Sequence, residues 1–177
     1  MCGIVAVIGS REAAPLLLSG LRQLEYRGYD SAGLATVETK FDGSSGTLTC
    51  RRSQGKLANL AACLEEDGAP GQLGIGHTRW ATHGKPNERN AHPHRDVSGE
   101  VAVVQNGIIE NHRALREELE AEGINFVSET DTEVIPHLIA RELKSLQFDG
   151  RLSSGTMLLE AVQKISLKLK GAYALAV

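Results

Sequence analysis

Apolar positions along the chain change their spacing several times, and each change marks an element. Residues Cys2 to Gly9 form a short β-branched run closed by Gly9-Ser10, which predicts a buried strand. From Arg11 to Tyr26 the apolar residues Ala14, Leu17, Leu18, Leu21 and Leu24 fall on one face of a helix, with Pro15 tolerated in its first turn. Arg27 to Asp30 breaks that pattern as a loop. Ser31 to Glu38 and Thr47 to Arg52 read as strands, and Phe41 to Gly46 has the composition of a hairpin turn. Leu57, Leu60, Ala61 and Leu64 mark a second helix that stops at Gly68.

The second half repeats the theme. Gln72 to Thr78 is strand-like. Arg79 to Ser98 is polar, carries Pro86 and Pro93, lacks periodicity and reads as a long loop of the kind that often holds function. Glu100 to Ile109 predicts a strand, and Asn111 stands where it can cap a helix carrying Leu115 and Leu119 that ends at Gly123. Asn125 to Val127 reads as a short strand. Thr130 and Glu133 have capping-box spacing ahead of the helix of Val134, Leu138, Ile139 and Leu143. Leu158, Leu159, Val162, Ile165 and Leu169 make a last helix, ended by Gly171, and Ala172 to Val177 is a strand that stops without a polar tail, as expected of a piece of a longer protein. Clustered strands with helices between the clusters predict an α+β fold, helices covering mainly antiparallel sheets.

Composition narrows the function classes. A chain of 177 residues with 41% hydrophobic and 23% charged residues has the make-up of one globular domain. Its net charge of −3 is interspersed, with no basic stripe for nucleic acid. No run approaches the roughly 20 apolar residues that span a bilayer, and no secretory signal opens the chain. Cys2, Cys50 and Cys63 are an odd number without metal-type spacing, so a reducing cytoplasm is the expected location.

Candidate chemistry begins at Cys2. A small residue after Met1 favours removal of the initiator methionine, which would leave a thiol and a free α-amine on one residue. An α-amine with a reference pKa of about 7.7–8.0 is partly neutral at physiological pH and can take the thiol proton directly or through one water. The alternative is a small apolar residue opening a strand. Asn106-Gly107, at a strand end, offers a side-chain NH₂ and an unshielded backbone N–H to a developing oxyanion, although Asn-Gly is also the commonest hairpin signal. Arg79 can grip an α-carboxylate bidentately and Asp131 can take an α-ammonium; a surface ion pair and a helix-terminus carboxylate are the competing readings. His77, His83, His92 and His94 invite a metal reading, but no Cys or carboxylate joins them at ligand spacing, and polar contacts within the long loop are the preferred one. Tyr26, Tyr29 and Trp80 can line a pocket or belong to a core.

The start Cys2-Gly3-Ile4-Val5 resembles the class II glutamine amidotransferases, which are N-terminal-nucleophile hydrolases. Four longer motifs, Tyr26 to Gly33, His77 to Gly84, Asn106 to Asn111 and Ser128 to Glu133, resemble the branch that makes glucosamine 6-phosphate from fructose 6-phosphate. The resemblance runs from Cys2 to Val177. It implies a four-layer αββα sandwich with residues 1–177 as one glutaminase domain, and Cys2 as nucleophile with Asn106 and Gly107 as oxyanion hole. It implies Arg79 on the glutamine carboxylate and Asp131 on its ammonium. Thr82 and His83 would line the site in a mobile loop from about Arg79 to Asn87, Trp80 would be a lid gating ammonia, and Arg27 would help order the pocket. It implies L-glutamine as substrate, no cofactor or metal, a missing sugar-isomerase half as partner, and a monomer or weak dimer for the isolated domain. Gln105 departs from the branch, which usually has His there, and the Thr39 to Gly46 turn looks longer than usual. Two other readings compete with the glutaminase: a non-catalytic glutamine-binding domain, if Met1 is retained, and a His-loop metalloprotein.

Overall fold

Two antiparallel sheets and five α-helices make up the computed structural model, which describes residues 2–39, 46–80, 84–148 and 154–177. The first sheet holds β1 (Gly3–Ile8), β2 (Ser31–Glu38), β3 (Thr47–Gln54) and β4 (Leu73–Arg79) in the order β1-β4-β2-β3. The second holds β5 (His94–Arg95), β6 (Ala102–Gly107) and β7 (Tyr173–Ala176) in that order. The helices are α1 (Ala13–Leu24), α2 (Leu57–Asp67), α3 (His112–Ala121), α4 (Val134–Phe148) and α5 (Gly155–Ser166). Among the described residues no helix is long and apolar enough to cross a membrane.

The period of two in each strand distributes its residues between separate cores. On β2, Ala32 and Leu34 pack with Leu17, Leu21, Leu57 and Leu60 of α1 and α2, while Ala35 turns the other way and joins Ile75 of β4 with Ala102 and Val104 of β6. On β6, Val103 faces the third core with Leu115, Leu119, Ile135, Leu138 and Ile165 of α3, α4 and α5. β4 is the most economical case. Gly74 and Gly76 lie against Leu17 and Leu21 of α1, so at those two positions β4 presents no side chain to the helix, and the opposite face carries Ile75, His77 and Arg79.

Several expectations change. The first strand is not buried but an edge strand, half-buried or exposed at every position after Gly3, with Ile8 84% exposed. Residues 125–127 form no strand. Asn111 precedes α3 but does not cap it through its side chain. Its carboxamide instead accepts from Lys170 N and donates to Lys168 O, tying that turn to the start of α3. Thr130 and Glu133 form no capping box, because Glu133 accepts from the backbone of Val127 and Ser128. The last helix ends at Ser166, before Gly171. Phe41 to Ser45, most of the proposed hairpin turn, lies outside the described residues.

The long polar stretch differs most from its expectation. It contains a 3₁₀ turn at Glu88–Asn90, capped by the Asn87 side chain, and the strand β5. Residues 90–94 are buried rather than laid over the surface. Gly33 makes that possible: a Cβ there would lie 2.2 Å from the His92 carbonyl oxygen, so the segment can press against β2 only where the side chain is missing.

Candidate active site

β1 and β4 are antiparallel with Gly3 opposite Thr78 and Ile4 opposite His77. The same register sets Cys2 beside Arg79, and the pleat turns Cys2, His77 and Arg79 to the face that meets β6. Trp80 N donates to Cys2 Sγ at 3.2 Å, which holds the sulfur at the end of the strand pair. The other wall comes from β6, where Asn106 shares a face with Ala102 and Val104. Asn106 Nδ2 donates to the Cys2 carbonyl at 3.1 Å, and Asn106 Oδ1 lies 2.9 Å from His77 Nε2. Gly107 follows at φ 111°, and a Cβ on it would lie 2.0 Å from the Ala172 carbonyl oxygen, so no other residue fits this strand end.

These side chains open into one cavity of about 350 Å³, within the ~300–1,000 Å³ of small-molecule sites. Cys2, Arg27, Arg79, Trp80, Asn106, Gly107 and Asp131 all line it. Arg79 is buried. Burial pulls its pKa below the ordinary guanidinium value, and Asp30, Cys2 and Asp131 oppose that pull. Asp30 Oδ1 lies 3.9 Å from its Nη1 and Gly84 O accepts from its Nη2 at 3.4 Å. Asp131, equally buried, accepts from Ile109 N at 2.7 Å and is thereby fixed against the end of β6. The cavity thus sets a cation and an anion beside a thiol and an amide donor.

Along this wall, where His77 and His92 also line the cavity, the histidines make their contacts across the fold rather than within their own loop. His77 and His92 stack with centroids 4.2 Å apart, and His92 meets His94 edge-on at 4.7 Å. Gln105 N donates to His92 Nδ1 at 3.2 Å, Thr132 Oγ1 lies 3.3 Å from His92 Nε2, and Thr132 donates to Gln105 Oε1 at 2.7 Å. His94 Nε2 meets Thr130 Oγ1 at 3.0 Å. Burial pushes the pKa of His77 down to about 4 and that of His94 to about 3, and drives His92 well below the ordinary value, so all three rings are neutral at physiological pH. Among the described residues no three His, Cys, Asp or Glu side chains are arranged to hold a metal ion.

A family profile described as "Glutamine amidotransferase domain" matches residues 77–177, more than half of the sequence. The chain belongs to that family. Full-length relatives agree: the chain is 59% identical over 177 residues to a glutamine–fructose-6-phosphate aminotransferase (isomerizing) of Nostoc sp., and 55% identical to one of Thermosynechococcus vestitus. It is fully covered in both matches but spans only 27% and 26% of those proteins, about a quarter of their length. Two solved structures have the same fold over 99% of this chain and 34% of theirs. One is the glutamine phosphoribosylpyrophosphate amidotransferase of B. subtilis (TM-score 0.75, 28% identity), and the other is described as the allosteric regulatory enzyme of purine biosynthesis (TM-score 0.77, 29% identity).

Within this amidotransferase domain, the geometry collects Cys2, Arg27, Arg79, Trp80, Asn106, Gly107 and Asp131 at one cavity. Thr82 and His83 lie outside the described residues. Tyr29 packs its ring edge-on against Trp80 at 5.4 Å, whereas Tyr26 is exposed and does not line the cavity. Sequence reasoning passed over Thr130 and Thr132, which line the cavity on either side of Asp131. Their signal was the dense run of hydroxyl and carboxyl residues from Ser128 to Glu133, in which only Asp131 was given a substrate contact and Thr130 was read as a helix cap.

Proposed function

We propose that this chain hydrolyses the side-chain amide of L-glutamine to glutamate and ammonia, with Cys2 as nucleophile once Met1 has been removed. The thiol gives its proton to the Cys2 α-amine and sulfur bonds to the amide carbon. Asn106 Nδ2 and the Gly107 N–H receive the oxyanion. Collapse expels ammonia, protonated from the amine, and leaves a glutamyl thioester that water cleaves to glutamate and the free thiol. Arg79 binds the substrate carboxylate and Asp131 its ammonium, with Thr82 and His83 completing the pocket, Trp80 gating ammonia and Arg27 ordering the rim. The observation that carries this reading is the direct tie between Asn106 Nδ2 and the Cys2 backbone, at 3.1 Å, in a cavity that also holds Arg79 and Asp131. The three stacked cores support a four-layer αββα sandwich for the whole of residues 1–177 as one glutaminase domain. The names and lengths of the relatives support a further assignment: the domain supplies ammonia to an isomerase half that converts fructose 6-phosphate to glucosamine 6-phosphate.

A glutaminase assay paired with the intact mass of the same sample tests the reading. Protein lacking Met1 should release glutamate and ammonia in equal amounts, and Cys2→Ala should abolish both. Full activity in Cys2→Ala, or none in correctly processed wild type, would overturn it.

A further inference from the structure

His77 is fully buried on β4 with its Nε2 2.9 Å from Asn106 Oδ1. The other end of the same carboxamide, Nδ2, donates to the Cys2 carbonyl. A carbonyl oxygen accepts only from the NH₂ end, so Oδ1 is the end that faces His77, and the imidazole must be the donor in that pair. The geometry points to His77 as the positioning residue of the oxyanion site: held as its Nε2–H tautomer, it locks the Asn106 carboxamide with Nδ2 toward the reacting centre. An amide turned end for end would set Oδ1 against the Cys2 carbonyl and against the developing oxyanion, acceptor facing acceptor.

The surroundings of the ring favour this one state. The His92 ring stacked on it at an interplanar angle of 20° leaves no room for rotation, and His92 is itself held by Gln105 N and Thr132. Burial, opposed by the Asn106 bond and the Gln105 carbonyl, keeps the ring neutral down to about pH 4. Nδ1 makes no hydrogen bond of accepted geometry. A proton moved to Nδ1 would turn a lone pair toward Oδ1, acceptor facing acceptor, and lose the bond to Asn106. The ring is fully buried at the edge of the cavity and its side-chain hydrogen bond goes to Asn106 Oδ1, so its contribution passes through Asn106.

The inference rests on the glutaminase reading, and its tests separate the two. In the 177-residue chain with Met1 removed, His77→Leu fills similar space without a donor. Its kcat should fall about 100-fold, the scale of losing one oxyanion donor, with KM for glutamine changed by no more than about threefold. Alkylation of Cys2 by iodoacetamide needs no oxyanion hole and should keep its rate. His77→Gln, which can place an N–H near Asn106 Oδ1, should recover kcat to within about tenfold of wild type, as restoring a hydrogen bond to a buried acceptor predicts. A folded His77→Leu with near wild-type kcat, a parallel loss of alkylation, or a Gln variant no better than Leu would overturn the assignment. Ring ¹⁵N shifts of His77 in wild type decide the same point without mutation: the Nε2–H tautomer is expected, and a dominant Nδ1–H tautomer sinks the idea even if the variants fail to fold. Wild type without glutaminase activity would refute the function and leave the tautomer to judge the positioning role.

Discussion

Asp131 already holds a backbone N–H, so truncating it does two things at once. Its carboxylate takes the Ile109 N–H at the end of β6 while lining the cavity that Arg79 shares. Asp131→Asn keeps an acceptor for Ile109 and removes only the charge. Its KM for glutamine should rise by about 10- to 100-fold, the worth of a hydrogen bond to a charged group at ~1.5–3 kcal/mol, with kcat little changed. Asp131→Ala should add a drop in thermal midpoint, because a buried N–H loses its partner; an unchanged KM in the Asn variant counts against the ammonium role. Gly107→Ala should be worse than either, since positive φ and the Ala172 carbonyl both reject a methyl group, and soluble, active protein would contradict that geometry. Cys2, Asn106, Gly107, Arg79 and Asp131 were legible as candidates because their chemistry is in their residue types and three of them sit at or just before predicted strand ends. The tie between Asn106 and Cys2 was not legible, because residues 104 apart meet only through sheet pairing.

At the scale of elements, the segment from Ile124 to Glu133 shows what holds a loop that has no ladder. Glu133, 2% exposed, accepts from Val127 N at 2.9 Å and Ser128 N at 2.7 Å, accepts from Ser128 Oγ, and stands 3.8 Å from His137 Nε2. Burial works to raise its pKa, yet these donors outweigh burial and hold it at about 2. Glu133→Gln exchanges one acceptor for an NH₂ among donors. It should cost about 2–3 kcal/mol in denaturant unfolding, as losing charge-assisted bonds does, and raise KM by loosening Asp131. Equal stability would show that the loop is held elsewhere. Helices and long strands were legible because apolar spacing encodes which face they bury. Residues 88–98 and 124–133 were not, because their order comes from side-chain to backbone bonds with partners in other elements, which leave no period. The expected strand at Asn125–Val127 failed for that reason: Val127 N goes to a carboxylate instead of a neighbouring strand.

For the whole molecule, three neutral buried histidines set an acid limit. Their pKa values lie below the unfolded value of 6.5, at about 4 for His77, about 3 for His94 and lowered for His92. The unfolded chain therefore binds more protons as pH falls from 6.5 toward 4, and stability is full above that window and lost within it. Each histidine contributes up to about 1.4 kcal/mol per pH unit there. Thermal midpoints should decline steeply from pH 6.5 to 5, before most carboxylates titrate, with close to three additional protons taken up on unfolding at pH 5; a flat profile would show that these rings are not buried neutral in solution. β4 has a different kind of consequence. Gly74 and Gly76, at even positions, make room for α1, and His77 and Arg79, at odd positions, line the cavity. One seven-residue strand thus meets two unrelated structural demands. A mutational scan that reads abundance and activity separately should show a two-residue beat along it, with substitutions at 74 and 76 depleting the protein and size-conserving ones at 77 and 79 leaving it abundant and silent.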